Sequence, residues 1–438
     1  MRRFLPTAIV IAGWVIVIAV AYPGVMSLDS FDQLLEARAW FFTDSHPPLM
    51  AALWGVIDRA VPGPMPLLVL QTGCFLFGMF WLLSRAMGRS AAAITAVVLL
   101  LFPPIVTPML VIWKDCLMAG FLALGAAGLT SKRRWLRAAA LAPLWLATAV
   151  RYNALAATLP LITLLFTWRP NARPLVRYAV ALASWLVISI AALAANAALT
   201  DRQMHIWQSS LALTDIVGTA TMTDVVLPDA DLAPLLVPTG VHVDRDYQQA
   251  LRTHYKPADF AQLIGPPDPL WSVPISGSTP APAEQVDAIT RAWRAIVLAH
   301  PFAYTEYRLD TFAEVLGLHA KFNGVTVVPH ATQWPSLVAF YKIPAGWPTI
   351  QMPAEHLLKA ASKRTPLFRP YIYFVLALLL LPFARKHRDI AALLLSGIVM
   401  ELSLLPLAVT PDYRYSHWLV ITTCIAVCML VARRARER

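Results

Sequence analysis

Ten long apolar stretches divide this 438-residue chain, and they constrain its fold more than any other feature. Most approach the length of about 20 residues that an α-helix needs to cross a bilayer. Because 58% of the residues are hydrophobic and only 14% are charged, a water-soluble monomer is excluded. We therefore predict a mainly α-helical, polytopic membrane protein with about ten transmembrane helices. The stretches cover residues 4–22, 66–84, 91–111, 116–130, 135–150, 155–168, 175–199, 371–384, 390–410 and 418–431.

The basic residues predict the topology. Lys and Arg cluster in short loops, as at Lys132, Arg133 and Arg134, and in the tail after residue 432. Cytoplasmic loops carry this excess, so we place both termini in the cytoplasm and interpret the net charge of +11 as topology, not nucleic-acid affinity. A cleavable signal peptide ending near residue 21 is the alternative for the first stretch. Its length of about 18 apolar residues favours a retained anchor.

The chain is expected to have three parts. Residues 1–199 form a transmembrane module whose first outer loop, 23–65, contains two amphipathic segments, 31–42 and 48–61, suited to the membrane surface. Residues 200–369 form a helical or mixed outer domain with an irregular loop at 265–282 and helices at 283–298 and 302–318. Residues 370–438 contain the last transmembrane helices. We find no internal repeat.

The four cysteines all lie in predicted spans, where they are expected to pack as small apolar residues without forming disulfides. Asp44 and His46 are two residues apart and could bind a divalent metal, but two ligands alone make a weak site. We therefore predict neither a metal nor another cofactor.

Two carboxylates follow the first span. Asp29 stands just beyond the apolar stretch, where partial desolvation would let it accept a proton from an incoming nucleophile. Asp32 lies three residues further on. The alternative is that Asp29 or Asp32 caps the following helix, which does not exclude the catalytic role.

Three cations, Lys114, Arg151 and Arg414, lie at the outer ends of spans, where the positive-inside bias makes basic residues less expected. We predict that they bind the phosphate of a lipid headgroup. Lys114 has an alternative role, since it could simply pair with the adjacent Asp115. In the outer domain we expect most charges to form a solvated face and the late aromatic residues to form an interfacial belt. These charged candidates are His300, Arg308, Asp310, His319 and Lys321, with Tyr304 among them; the aromatic residues are Trp334, Phe340, Tyr341 and Trp347.

Five short motifs occur in a fixed order around these residues. They are Asp-Ser-x-x-Gln at 29–33, His-Pro-Pro-Leu at 46–49, Trp-Lys-Asp at 113–115, Arg-x-Asn at 151–153 and Arg-Tyr at 414–415. No single motif is specific, but the ordered set resembles the GT-C superfamily of membrane glycosyltransferases. That superfamily includes the protein O-mannosyltransferases and the aminoarabinose and arabinofuranosyl transferases, and the likeness is closest to bacterial members. It covers residues 1–200 and the last 70, and reaches the outer domain only loosely, through Trp293 and His300-Pro301.

The resemblance implies an enzyme of a bacterial inner membrane with a periplasmic or extracellular outer domain. It would transfer a sugar from a polyprenyl-phosphate donor to a glycan, lipid or protein acceptor, with inversion. Asp29 would be the base, although Asp32 stands where a neutral residue is expected and could take that role. The donor phosphate would contact Lys114, Arg151, Arg414 and Tyr415, and the acceptor would contact Asp44, His46, Asn153, His300 and Arg308.

A transporter or flippase of a lipid-linked saccharide is the main alternative, because it would also need cations at the outer face. Transporters place their charges near the bilayer midplane on broken helices, whereas these charges lie at the ends of spans. A binding protein with a passive anchor would leave ten spans unexplained. The pattern favours the glycosyltransferase.

Overall fold

The computed structural model describes residues 4–168, 171–222, 225–272, 279–319 and 334–437, and this part of the chain is helical without a β-strand. The predicted mainly α fold class is confirmed. Lys321 lies outside the described residues. The helices are α1 Leu5–Ala21, α2 Leu28–Ala39, α3 Pro48–Ala60, α4 Met65–Leu83, α5 Arg89–Leu100, α6 Pro103–Met109, α7 Lys114–Leu129, α8 Arg134–Ala139, α9 Leu141–Val150, α10 Ala154–Leu165, α11 Pro174–Leu199, α12 Leu213–Thr221, α13 Asp229–Leu236, α14 Tyr247–His254, α15 Ala261–Ile264, α16 Ala283–Val297, α17 Pro301–Val315, α18 Pro335–Phe340, α19 Pro348–Arg364, α20 Pro370–Ala384, α21 Arg388–Leu407 and α22 His417–Glu437.

Every predicted apolar stretch coincides with a helix or with two consecutive helices. Among the described residues, four helical segments are long and apolar enough to cross a membrane by themselves: α4, α11, α21 and the segment Tyr413–Glu437, which includes α22. Helices α1, α10 and α20 are equally apolar in character but have only 10 to 17 residues. A membrane-spanning core is therefore supported by length and composition, and the total of ten crossings stays a prediction.

The predicted span 91–111 is not one straight helix. Helices α5 and α6 replace it and meet at an angle of 70°. The cause is the pair Pro103-Pro104: proline lacks the amide hydrogen that a continuing helix needs, and it disfavours helical backbone at the preceding residue. Phe102 accordingly has extended backbone, and Pro103 opens the new helix.

Helices α4 and α7 form the centre of the main apolar core. Two glycines let their backbones approach closely: a Cβ at Gly78 would lie 2.5 Å from the backbone of Ala123, and one at Gly120 would lie 2.7 Å from the carbonyl oxygen of Gln71. Small residues at helix contacts permit this packing inside membranes. It fixes the position of the first turn of α7, which carries Lys114.

The first outer loop forms the two expected helices, α2 and α3, which pack against each other. Ser27 caps α2: its hydroxyl accepts from the amide of Ser30, and the hydroxyl of Ser30 accepts from the amide of Ser27. Since this reciprocal pair satisfies the helix start, the suggestion that Asp29 or Asp32 caps the helix was wrong. Both carboxylates remain available for other contacts.

Helices α12 to α16 enclose the apolar core of the outer region around the buried Trp271, whose indole donates to Thr239. The segment after residue 333 packs back on the first outer loop. There Tyr341 is buried and stacks on Phe31 at 5.6 Å, so this residue belongs to the core and not to an interfacial belt. Phe340 beside it is 72% exposed, which suits the predicted belt.

Candidate functional site

A cavity of about 360 Å³ lies where the first turns of α2 and α7 meet the turn before α22. Its volume falls within the usual range for small-molecule sites. Charged residues that are far apart in the sequence converge on it. The lining residues are Asp29, Asp32, Ser45, His46, Lys114, Ile206, Ser209, Ser210, Phe260, Ile264, Val409, Arg414 and Tyr415.

Short contacts between two chain segments place the carboxylates beside Lys114. The amide of Ile112 donates to the carbonyl oxygen of Val25 at 2.9 Å, and the hydroxyl of Ser30 donates to that of Ile112 at 2.7 Å. The indole of Trp113 also donates to the hydroxyl of Ser27 at 2.8 Å. These bonds tie the start of α2 to the start of α7.

Arg414 sits in the 3-10 turn Tyr413–Ser416 and is held by carboxylates on two sides. Its Nη1 lies 2.7 Å from Asp29, and its Nε lies 2.9 Å from Asp412. Asp412 also accepts from the amide of Arg414 and so caps the turn. The guanidinium lies over the ring of Trp113 at 4.8 Å. Arg414 is therefore fixed in position before any substrate arrives.

Arg151 is fixed in a similar way by the fully buried Asp115, at 2.9 Å, and by the side-chain oxygen of Asn153, at 3.0 Å. Its guanidinium lies 4.8 Å from the ring centre of Tyr415. Asp115 thus pairs with Arg151 and not with its neighbour in the sequence, so the alternative pairing of Lys114 with Asp115 was wrong.

Lys114 differs from both arginines. Its Nζ lies 2.6 Å from Nδ1 of His46, and it forms no ion pair with any described residue. Desolvation, and then the charge of Lys114, lower the pKa of His46 to about 3, so the ring is neutral and can accept this hydrogen bond. Lys114 therefore has no carboxylate within ion-pair distance among the described residues, although the charge of Asp29 acts on it across the cavity.

The two carboxylates of α2 have opposite electrostatic environments. Burial raises the pKa of Asp29, but the charges of Arg414 and Lys114 outweigh it and hold the pKa well below its usual range. Burial, followed by repulsion from Asp29, raises the pKa of Asp32 to about 7. At neutral pH, therefore, Asp29 is a permanent anion, whereas Asp32 can gain or lose a proton.

A second cavity of about 220 Å³ shares Lys114, Val409 and Tyr415 with the first. One of its walls is apolar and comes from the last turn of α21, where Leu407 is 51% exposed. The charged cavity therefore continues past Lys114 toward the exposed lateral surface of the helices. The other lining residues are Pro47, Arg151, Tyr152, Asn153, Leu404, Leu407 and Ala408.

Three predicted acceptor contacts do not line either cavity. Arg308 is 1% exposed and pairs with Asp215, so its guanidinium cannot reach an acceptor. Asp44 accepts from the backbone amide of Met204 and thereby fastens the first outer loop to the outer region. His300 lies at the start of α17, away from the lining residues.

Sequence reasoning missed Ile206, Ser209 and Ser210, which come from the π-helical turn Trp207–Ala212 and its approach. Such wide turns often occur at functional sites, but no residue pattern announces this one. Asp412 and Asp115 stood within the quoted motifs, yet their roles as arginine partners needed the structure. Among the described residues, no three His, Cys, Asp or Glu side chains are grouped as metal ligands.

No protein-family model, curated protein or solved structure matches this chain. Its function has to be inferred from the residues and the geometry described above.

Proposed function

We propose that this protein is a membrane glycosyltransferase that takes a sugar from a polyprenyl-phosphate donor at the outer face of a bacterial inner membrane. The observation that carries the proposal is the position of Lys114. It is a cation without a carboxylate partner among the described residues, and it stands between a cavity with two carboxylates and a cavity with an apolar wall. The phosphate of an amphiphilic ester would contact this cation, and its hydrocarbon chain would lie against the apolar wall.

The donor would bind across both cavities. Its phosphate would lie at Lys114, and its hydrocarbon chain would leave over Leu404 and Leu407 toward the lipid. Arg414 and Arg151, already oriented by their carboxylates, would face the phosphate from the other side. Fixed cations of this kind stabilise the charge that develops on the leaving phosphate as the bond to the sugar breaks.

The acceptor hydroxyl would lie near α2. It loses its proton to a carboxylate as its oxygen bonds to the anomeric carbon, while the polyprenyl phosphate leaves with the bonding electrons. A base works best when its pKa is close to the working pH, which favours Asp32 over Asp29 for this step. Asp29, the base implied by the family resemblance, would instead hold Arg414 in place.

The proposal includes the topology. About ten transmembrane helices would carry the site at their outer ends, with both termini in the cytoplasm. The outer region would then help to select the acceptor, and the π-helical turn Trp207–Ala212 is one of its segments that line the cavity.

The direct test is sugar transfer from a polyprenyl-phosphate donor by the purified full chain in proteoliposomes. Lys114→Met should raise the donor KM and lower kcat/KM about 10²- to 10³-fold, the usual loss for one preorganised electrostatic contact. Lys386→Met, at an exposed loop position, is the matched control and should transfer sugar normally. Unchanged kinetics in Lys114→Met would remove Lys114 from the donor site.

One observation favours a transporter as the second candidate. Helices α5 and α6 are bent by 70°, and discontinuous helices are typical of transporter binding sites. The charges described above, however, lie at the starts of α2 and α7 and not at this break. Movement of an intact lipid-linked sugar between leaflets, without release of polyprenyl phosphate, would support the transporter instead.

A further inference from the structure

A third cavity lies at the opposite end of α4. It has a volume of about 500 Å³ and lies beside the last turns of α4, the start of α5 and the middle of α7. Because α4 begins next to the first outer loop and rises by roughly 28 Å over its 19 residues, the arginine end of this cavity lies at the far end of that helix from the candidate active site. Its lining residues are Phe77, Phe80, Trp81, Ser84, Arg85, Arg89 and Leu124.

The lining combines an apolar wall with two cations. Aromatic side chains and Leu124 form the wall, and Phe77 is 41% exposed on the outer surface of the helix. Arg85 and Arg89 stand at one end of the wall. The guanidinium of Arg85 lies 6.0 Å from the ring centre of Trp81. No carboxylate is among the lining residues, so the local charge is positive.

Arg85 has a buried hydrogen-bond donor without a partner in the described part of the chain. Its Nε is buried and has no hydrogen-bond partner among the described residues. An unpaired buried donor on a charged group is costly, and an anionic oxygen in the cavity would satisfy it. The guanidinium can also contact two oxygens of one phosphate at once.

We propose that this cavity binds one anionic phospholipid, with the headgroup phosphate between Arg85 and Arg89 and an acyl chain along Phe77, Phe80 and Leu124. The apolar wall selects a lipid over a soluble phosphate, and the two arginines select an anionic lipid over a zwitterionic one. The site would lie in the leaflet opposite to the proposed transfer reaction, and it does not depend on that reaction.

Trp81 provides a probe of the cavity. The full chain is reconstituted in vesicles containing phosphatidylglycerol or phosphatidylcholine with brominated acyl chains, and tryptophan quenching is compared between the natural chain and Trp81→Phe. The difference between the two isolates Trp81 from the other tryptophans. We expect this difference to reach half-maximum at a lower fraction of brominated phosphatidylglycerol than of brominated phosphatidylcholine, by about fivefold for each cation engaged.

Arg85→Gln/Arg89→Gln should abolish the preference. The matched control Arg133→Gln/Arg134→Gln removes the same charge from exposed positions in another loop and should keep it. Arg89→Gln alone changes only an exposed side chain and should lose about fivefold, which tests the site even if the double variant misfolds.

Several outcomes would overturn the proposal. Equal quenching by both lipids, or an unchanged preference in Arg89→Gln, would show that the arginines do not distinguish the anionic headgroup from the zwitterionic one. Equal loss in the control double variant would indicate general surface attraction. Competition by millimolar inorganic phosphate would identify a free phosphate, and not a lipid, as the ligand.

Discussion

Two carboxylate–arginine pairs lie near the residues that follow α21, and they differ in how completely the protein encloses them. The pair Asp215 and Arg308 is 2% and 1% exposed; Arg308 also donates to the carbonyl oxygen of Ala408. The pair Asp29 and Arg414 is 29% and 12% exposed and faces a cavity. We refer to them as the closed pair and the open pair.

The comparison separates structural from functional charges. In the closed pair the contacts that form come from the protein itself: the indole of Trp293 donates to Asp215 at 2.9 Å, and only Nε of Arg308 lacks a partner among the described residues. In the open pair the neighbouring Lys114 and Asp32 keep capacity for a ligand or a proton. The same residue types therefore stabilise the fold in one place and, under the proposed function, take part in the reaction in the other. The degree of enclosure distinguishes the two.

The largest expected effect lies beside the open pair. Asp32→Asn keeps the shape of the side chain but removes the proposed proton acceptor, so kcat/KM for sugar transfer should fall about 10²- to 10⁴-fold. Asp231→Asn, on the exposed surface of α13, is the matched control and should have normal kinetics. Turnover close to that of the natural chain in a folded Asp32→Asn sample would exclude Asp32 as the base.

The closed pair predicts a loss of stability instead of a loss of chemistry. Arg308→Met leaves the carboxylate of Asp215 buried without its partner, which should lower the free energy of unfolding by about 3–5 kcal/mol. Arg308→Met/Asp215→Leu removes both charges and should recover more than half of this loss. Denaturant unfolding in detergent micelles measures both variants.

The same experiment can break the comparison. If Arg308→Met unfolds like the natural chain but raises the acceptor KM, then Arg308 contacts the acceptor after all. The enclosure of the closed pair would then not distinguish it from the open pair.

Much of the helical framework could be predicted because apolar length and proline positions act locally. The stretch 175–199 became α11 with nearly the same bounds, and Pro48 opened α3 as expected. The break at Pro103 was missed, although its cause is also local, because an uninterrupted apolar pattern was given more weight than two prolines.

The site was only partly predictable. The alternation of spans predicted that Asp29, Lys114, Arg151 and Arg414 lie at one end of the helices, and they line two adjoining cavities in the structure. Which carboxylate pairs with which arginine depends on contacts between segments up to hundreds of residues apart. No local sequence pattern predicts these contacts. For that reason Arg308 looked like a surface residue in the sequence and is a core residue in the structure.

The smallest expected effect concerns the pH profile, which separates the role of Asp29, in the open pair, from that of the neighbouring Asp32. Under the proposed function Asp32 acts in its deprotonated form, so kcat/KM should rise with pH as Asp32 titrates near its pKa of about 7. Repulsion from Asp29 contributes to that raised pKa. Asp29→Asn removes the repulsion, which favours the ionised form of Asp32. The rising limb of the profile should therefore move to lower pH while transfer persists at a reduced rate. If Asp29 is the base itself, the same variant should show no transfer at any pH, and the roles of the two carboxylates would have to be exchanged.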